Sequence, residues 1–482
     1  MLLSIIAEEL GAPISGADTE ITSITYDSRQ VRPGCLFCCL VGLVSDGHTF
    51  AAQAVDKGAA ALIVERRLEL GVPQIIVENG RRAMALAAAC FYHHPEREMT
   101  ILGVTGTNGK TSTTYMVKSI AEHAGKKVGL IGTIQNMIGS EVIETGRTTP
   151  ESADLFALLR RMADEKVDLA VMEVSSHALA QDRVYGIRYH AALFTNLTQD
   201  HLDYHKTFEN YLQAKKRLFE QCEIAVINHD DPYSERIMEG LECPIYTFGI
   251  HTAASYNASN IDIHTGGVSF TLRTPKGEAR ISLHISGLFS IYNAMGAAAA
   301  MQLTGFSLKD ISQGLEALSG VAGRLQSVET NGRPFSVYVD YAHTPDALEN
   351  VLTTVRSFAK ARVIALFGCG GDRDRAKRPL MGEIGGRNAD YVIVTSDNPR
   401  SENPEAIIRS IEDGVKKTGT PYVSITDRRE AIGYALGMMQ EDDILVIAGK
   451  GHENYQEING VKHHFDEKEV VAEIIAELDG RA

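Results

Sequence analysis

The chain is poor in cysteine, in basic charge and in long apolar stretches, and each shortage excludes something. Its seven cysteines, Cys35, Cys38, Cys39, Cys90, Cys222, Cys243 and Cys369, are an odd set with no repeated pair spacing. That pattern is not a disulfide framework. Cys35-x-x-Cys38-Cys39 could hold a metal, but no second pair completes a zinc site, so buried thiols in a reducing cytoplasm are the better reading. Lys and Arg number 47 against 62 Asp and Glu, a formal charge of −15. Without a basic footprint, general nucleic-acid binding is not expected. No apolar run approaches the roughly 18 residues of a membrane span, so no membrane insertion is expected. The opening MLLSIIAEEL lacks a basic start and is interrupted by Glu8 and Glu9, so no signal peptide is expected either.

What is present is an ordinary globular composition, 44% hydrophobic and 23% charged over 482 residues. At roughly 150 residues per domain the length suggests about three domains. Residues 1–98 mix short apolar runs with turns. Residues 21–26 are rich in β-branched side chains and read as a strand closed by Asp27-Ser28-Arg29; further strands are expected at 35–41, 61–64 and 74–77. The Pro-broken segment 93–97 reads as a linker. A strand at 99–104 then runs into a Gly-rich turn and a helix from about Thr111. Strands at 169–172, ending in Glu173, and 191–196 follow, and such alternation predicts a mostly parallel sheet covered by helices on both faces. After a junction at 320–334, strands at 336–339, 363–367, 392–394, 422–425 and 444–448 alternate with helical patterns. Asp340, Gly368, Asp397 and Gly449 follow four of them, beyond the carboxyl ends where open α/β sheets bind ligands.

The turn Gly103-Val-Thr-Gly106-Thr107-Asn108-Gly109-Lys110-Thr111 lies between strand and helix, as a phosphate loop does. Its backbone amides can face a triphosphate, Lys110 supplies charge for the outer phosphates, and Thr111 can bind Mg²⁺. A strict P-loop pattern fails only because Val104 stands where the first Gly belongs. Glu173, at a strand end, is placed to reach the metal. His201 lies in a strand-end loop, Asp200-His201-Leu-Asp203-Tyr-His205, that holds two His and two Asp. Lys215 falls on the apolar stripe of a helix around 208–219, whereas Lys216 and Arg217 lie off it. A lysine there either snorkels to water or loses its charge. From periodicity alone, snorkelling is favoured.

Together these motifs resemble the Mur ligase family, the ATP-dependent amino-acid ligases that build the peptidoglycan stem peptide. The likeness covers essentially the whole chain, through Gly106-Thr-Asn-Gly-Lys110-Thr111, Glu173-Val-Ser-Ser-His177, Asp200-His201-Leu-Asp203, Tyr211-x-x-Ala-Lys215, Asn293, Gly323-Arg324 and Asp340-Tyr-Ala-His343-Thr-Pro-Asp346. It implies an α/β protein of three domains: 1–98 binding the UDP-muramoyl substrate, 99–331 carrying the P-loop-type sheet and ATP, and 332–482 a Rossmann-like domain for the amino acid. It implies ATP contacts from Gly106, Thr107, Asn108, Gly109, Lys110, Thr111, Ser112, Asn293, Arg324 and Asp340. It also reverses the reading of Lys215, which becomes a carbamate (N6-carboxylysine) that binds Mg²⁺ with His201, beside Thr111 and Glu173; two ions are expected. Ser28, Thr148, Thr149, Ser175, Gln181 and Arg183 match positions that hold the muramoyl-dipeptide.

Residues 395–400 and 449–453 resemble the branch that adds the third residue, in the Asp-Asn-Pro-Arg form associated with meso-diaminopimelate rather than lysine. The implied ligands are Arg373, Asp397, Asn398, Pro399, Arg400, Gly449 and Glu453. The chemistry agrees, since diaminopimelate carries a distal carboxylate for which Arg400 offers a planar fork. Gln326, Ser290, Leu43 and Val44 depart from the family pattern, the last two where polar uracil contacts are frequent. The implied reaction joins UDP-N-acetylmuramoyl-L-alanyl-D-glutamate to diaminopimelate through an acyl phosphate, in a cytoplasmic enzyme expected to be monomeric. Lys110 and Lys215 are the expected catalytic lysines, and His343 is a candidate base by position. The competing readings are a folylpolyglutamate synthase, a P-loop switch or transport ATPase and, weaker, a nonenzymatic dinucleotide-binding protein.

Overall fold

The computed structural model of the chain describes residues 1–42, 45–264 and 266–480. Leu43 and Val44, the departures noted at the uracil contacts, lie outside the described residues. Three α/β units follow one another, each built on its own sheet.

In the first unit the strands Ser23–Thr25, Cys35–Cys38, Ala59–Val64 and Gln74–Ile76 run parallel, and Ile14–Ser15 joins the last of them antiparallel. Cys35–Cys38 is buried along its whole length, which is why it reads as an unbroken apolar run. Cys35, Cys38 and Cys39 are buried free thiols, whereas Cys222 and Cys243 are half-buried with their Sγ atoms 3.6 Å apart. The Ala-rich helix Gly80–Phe91, capped by the Asn79 side chain, packs into a core that continues through Ile101, Ile131 and Phe156. The first and second units therefore share one apolar core.

The second unit has a long mixed sheet. Strands Val128–Ile131, Leu169–Glu173, Thr100–Thr105, Tyr189–Phe194, Cys222–Asn228, Ile245–Gly249 and Tyr256–His264 lie side by side and parallel in that order. Antiparallel strands extend both edges: Gly267–Thr274 and Gly277–Leu283 at one, Asn136–Ile138 and Glu141–Ile143 at the other. The parallel centre is as expected from the sequence, and the antiparallel flanks are an addition to it. Thr100–Thr105 sits between Leu169–Glu173 and Tyr189–Phe194, with Val104 opposite both Glu173 and Leu193. Three strand ends, and the polar residues that follow them, therefore emerge together.

The third sheet has Ser336–Asp340, Ile444–Ala448, Val363–Phe367, Tyr391–Val394 and Tyr422–Ser424 parallel in that order, with Gln326–Val328 antiparallel at its edge. Asp340 and Phe367 both lie opposite Ala448, and Phe367 also opposite Val394, which gathers their following loops at one end. Helix starts are marked locally: Thr344 caps Pro345–Phe358 and Asn403 caps Pro404–Val415, each with Pro in the first turn.

Beneath those loop ends lies a completely buried ion pair. Arg428 and Glu467 side chains are both 0% exposed, and Arg428 Nε donates to Glu467 Oε1 at 2.8 Å. The same guanidinium donates to the carbonyls of Ser396 (3.2 Å) and Ala448 (2.9 Å), tying together the ends of two neighbouring loops. Removing one partner strands the other in a dry core. Arg428→Met is expected to cost about 3–5 kcal/mol, and Arg428→Met/Glu467→Leu to recover most of it. Thermal unfolding checks this: an unchanged midpoint in the single variant, or no recovery in the double, contradicts the assignment.

Candidate active site

The loop after Thr100–Thr105 turns through Gly106 and Gly109, both at positive φ (149° and 86°), into the helix Lys110–His123. Gly109 caps that helix without a side-chain hydrogen bond, which leaves the first-turn amides for an anion. A Cβ on Gly106 would overlap Thr195 Oγ1, and one on Gly109 would overlap Asn293 Oδ1. Asn293, buried on the helix Leu288–Leu303, thus packs directly on the loop.

Lys110 Nζ folds back onto the carbonyls of Gly106 (2.9 Å) and Thr107 (2.8 Å). Lys215, from the helix Phe208–Lys216, donates to the same Gly106 carbonyl at 2.6 Å. Its side chain does not snorkel: it is 1% exposed and lies over the Tyr211 ring, 4.6 Å from the centroid. Burial, and then the charge of Lys110, push Lys215 well below the ordinary lysine range. Burial thus favours the uncharged amine at this position.

Thr111 Oγ1 donates to Glu173 Oε2 at 3.1 Å and accepts from the Arg324 guanidinium at 3.0 Å. Glu173 is held by the Thr133 amide (2.8 Å) and hydroxyl (3.0 Å). Two hard oxygens beside a phosphate loop suit Mg²⁺, which takes one or two protein ligands, phosphate oxygens and waters. Among the described residues no group of three or more His, Cys, Asp or Glu is arranged to hold a metal unaided. His201 stands at φ 53° against Asp200 (3.3 Å), its ring 4.7 Å from that of His177. Burial pushes His177, His201 and His205 below the usual histidine range, so the cluster is uncharged at neutral pH.

On one side of the loop, Thr149 Oγ1 donates to the Glu173 carbonyl (2.8 Å) and accepts from the Ser175 amide (3.1 Å). Arg183 reaches the Thr149 carbonyl (3.0 Å) and Gln181 Oε1 (2.8 Å), and Thr148 pairs with Thr133 (3.0 Å between hydroxyls). Five of the expected muramoyl-dipeptide positions are thus one network. Ser28 lies apart from it in the first unit, its carbonyl bonded to Lys57 at 2.8 Å.

Facing the loop is the third unit. Asp340 is buried, and its oxygens accept from the amides of Leu325 (2.6 Å) and Ala342 (2.8 Å), so it braces the hinge beside Arg324. Arg324 itself lies over the Tyr341 ring, 5.0 Å from the centroid. A cavity of about 790 Å³ runs between the units, lined by His177, Asp200 and His201 on one wall and by His343, Arg373, Asp397, Asn398, Arg400, Gly449 and Glu453 on the other. Asp397 is 7% exposed, and among the described residues its Oδ2 finds no hydrogen-bond partner. Burial pushes its carboxyl up, but Lys450 and Arg428 outweigh that and hold it below the usual range. Asn398 Nδ2 donates to Glu453 Oε2 (2.8 Å) while its Oδ1 accepts from Lys450 (3.0 Å). Arg400, at φ 52°, donates to the Gly371 carbonyl at 2.8 Å and lies 3.3 Å from Glu457. Arg373 is bonded to the Asp372 carbonyl at 3.1 Å. Sequence reasoning overlooked Lys450, 0% exposed beneath Asn398, and the Thr195–Asn196 pair that grips the phosphate loop; polar residues directly after a strand end were the available signal.

Known proteins agree along the whole length. Residues 20–97 match the family described as "Mur ligase family, catalytic domain", 104–301 the "Mur ligase middle domain" and 323–451 the "Mur ligase, glutamate ligase domain". The chain is 48% identical over 471 residues to the UDP-N-acetylmuramoyl-L-alanyl-D-glutamate–2,6-diaminopimelate ligase of Geobacillus thermodenitrificans, covering 96% of each. It is 46% identical to the ligase of the same name in Clostridium botulinum, covering 95% of this chain and 96% of that one. A solved structure of a ligase so named superposes with a TM-score of 0.72 at 34% identity, covering 98% of this chain and 99% of the other. The fold alone is shared with a folylpolyglutamate synthase of Mycobacterium tuberculosis complexed with ADP, at 19% identity, TM-score 0.62, and 76% and 91% coverage. Matches in all three units, and relatives almost half identical from end to end, make the conclusion plain: this chain belongs to the Mur ligase family.

Proposed function

We propose that the protein joins meso-2,6-diaminopimelate to the D-Glu γ-carboxylate of UDP-N-acetylmuramoyl-L-Ala-D-Glu at the expense of ATP, in the cytoplasmic stage of peptidoglycan precursor synthesis. The observation that carries this reading is one cleft with His177 and the Gln199–Asp203 segment on one wall and Asp397, Asn398, Arg400, Gly449 and Glu453 on the other, the first wall being bonded to the phosphate loop through Thr198 and Thr107. In that reading the first unit, taken as residues 1–98, holds the UDP-sugar, residues 99–331 hold ATP, and residues 332–482 hold the amino acid. The diaminopimelate name of its near relatives agrees.

A carboxylate resists attack by an amine because oxide would have to leave. Phosphorylation by ATP gives an acyl phosphate, the amine adds to its carbonyl, and the tetrahedral intermediate expels phosphate. The protein must first bring two anions, carboxylate and γ-phosphate, into line. Lys110 swings from the Gly106 and Thr107 carbonyls to the phosphates, Arg324 and Asp340 frame the nucleotide, and Asn293 meets adenine. Thr111 and Glu173 would hold one Mg²⁺; His201 and a carbamylated Lys215 would hold a second. Bound there, Mg²⁺ supplies positive charge that offsets the repulsion between the reacting anions. Lys215 is suited to carbamylation because burial favours its uncharged amine, the form that takes up CO₂. At the far wall Arg400 and Asn398 take the distal carboxylate of diaminopimelate, and Asp397 and Glu453 its ammonium. His343, which lines the cavity, would accept a proton from the attacking amine.

The direct assay offers diaminopimelate, lysine and ornithine in parallel with ATP and the UDP-dipeptide. ADP is expected only with both acceptors present, and fastest with diaminopimelate; Arg400→Lys should lose much of that preference, because a point charge cannot reproduce the fork. ADP release without an amino acid, or a preference for lysine, contradicts the proposal. Lys215→Ala should be inactive and regain partial activity with added short-chain carboxylic acids; full activity without them excludes the carbamate.

A further inference from the structure

The phosphate loop and the third unit meet at one carboxylate oxygen. Asn108, in the loop, has its main chain fully engaged within the second unit. Its amide donates to Asn196 Oδ1 (2.9 Å), and its carbonyl accepts from Thr195 Oγ1 (2.6 Å) and Asn196 Nδ2 (3.1 Å). What remains is its side-chain amide, which reaches across the cleft and donates to Asp346 Oδ2 at 2.6 Å. Thr198, which braces the loop through Thr107 (3.0 Å from its amide to Thr107 Oγ1), donates its own hydroxyl to the same oxygen at 3.0 Å. A third donor, Asn350 Nδ2, comes from one turn further along Asp346's own helix at 3.2 Å.

Asp346 is the second residue of the helix Pro345–Phe358, whose start is fixed by the Thr344 cap and by proline. It is therefore rigidly connected to His343 on the cavity wall and to Asp340 at the hinge. Two charge-assisted hydrogen bonds to one oxygen are directional and strong for their number. They are made only when the loop and the third unit hold this register.

We infer that Asp346 is a positioning residue, a latch that ties the phosphate loop to the amino-acid-binding unit so that the amine is presented to the acyl phosphate in attacking geometry. Resting on the ligase reading above, this assigns Asp346 no contact with reacting atoms. Its loss slows the coupled reaction through misplacement and leaves nucleotide binding largely intact.

The test compares Asp346→Ala, Asp346→Asn, Thr198→Val and Asp346→Ala/Thr198→Val in the full-length protein with ATP, UDP-dipeptide and diaminopimelate. Asp346→Ala should lower kcat about tenfold or more while the KM for ATP stays within about threefold. Asp346→Asn, whose amide oxygen can still accept, should recover most of the rate. The double variant should be no slower than Asp346→Ala, since both changes break one connection. A kcat for Asp346→Ala within about twofold of the unaltered protein, or losses in the double variant that multiply, would overturn the latch. Should Asp346→Ala fail to fold, Asp346→Asn and Thr198→Val decide: a full-rate Thr198→Val overturns it. If the unaltered protein uses ATP without both acceptors, the ligase reading fails separately, and the same double-variant comparison on ATP turnover still judges the latch.

Discussion

Two lysine side chains end on a single carbonyl oxygen, that of Gly106, and the chemistry of the cleft depends on that crowding. Two ammonium groups cannot share one acceptor at low cost in a buried site. Burial pushes both below the ordinary lysine range, Lys215 well below it, and Lys110 keeps a second acceptor on Thr107. Because the Gly106 carbonyl is fixed by the end of a central parallel strand, the sheet itself imposes this division of labour. In the proposed reaction Lys110 would meet phosphate and Lys215 would carry the carbamate.

The rest of the cleft follows from strand order. Thr100–Thr105 lies between the strands that end in Glu173 and Phe194, so the loop is gripped from one side by the Thr111–Glu173–Thr133 group and from the other by Thr195 and Asn196. In the third sheet the strands ending at Asp340, Phe367, Val394 and Ala448 gather the loops that line the opposite wall. Buried charges hold that wall in shape. Arg428 ties the Ser396 and Ala448 carbonyls together, and Lys450 fixes the Asn398 amide so that its NH₂ faces Glu453.

Much of this was legible in the sequence because strand ends in parallel sheets are short-range features. Apolar runs followed by Asp397 and Gly449 pointed to one wall of the cleft, and those followed by Gly106 and Glu173 to the phosphate loop and the carboxylate bonded to its Thr111. Depth was not legible: periodicity put Lys215 on an apolar stripe but could not reveal that its partner, the Gly106 carbonyl, waits 109 residues away. The antiparallel flanks escaped notice because a strand such as Gly277–Leu283, exposed over much of its first half, lacks the unbroken apolar run that marks the centre. Contacts between units, such as Asn108 with Asp346 across 238 residues, leave no local trace at all. The family motifs supplied roles that spacing could not, and the short Asp-Asn-Pro-Arg turn gained meaning only beside Lys450 and Glu453.

The central claim is that energy from ATP passes through an acyl phosphate, a mixed anhydride, of the glutamyl side chain. Placing oxygen-18 in the D-Glu γ-carboxylate of the UDP-dipeptide and following it by mass spectrometry tests this most directly. The account predicts one labelled oxygen in the released inorganic phosphate for every amide bond formed. Phosphate free of label, with the amide formed at the normal rate, would contradict it.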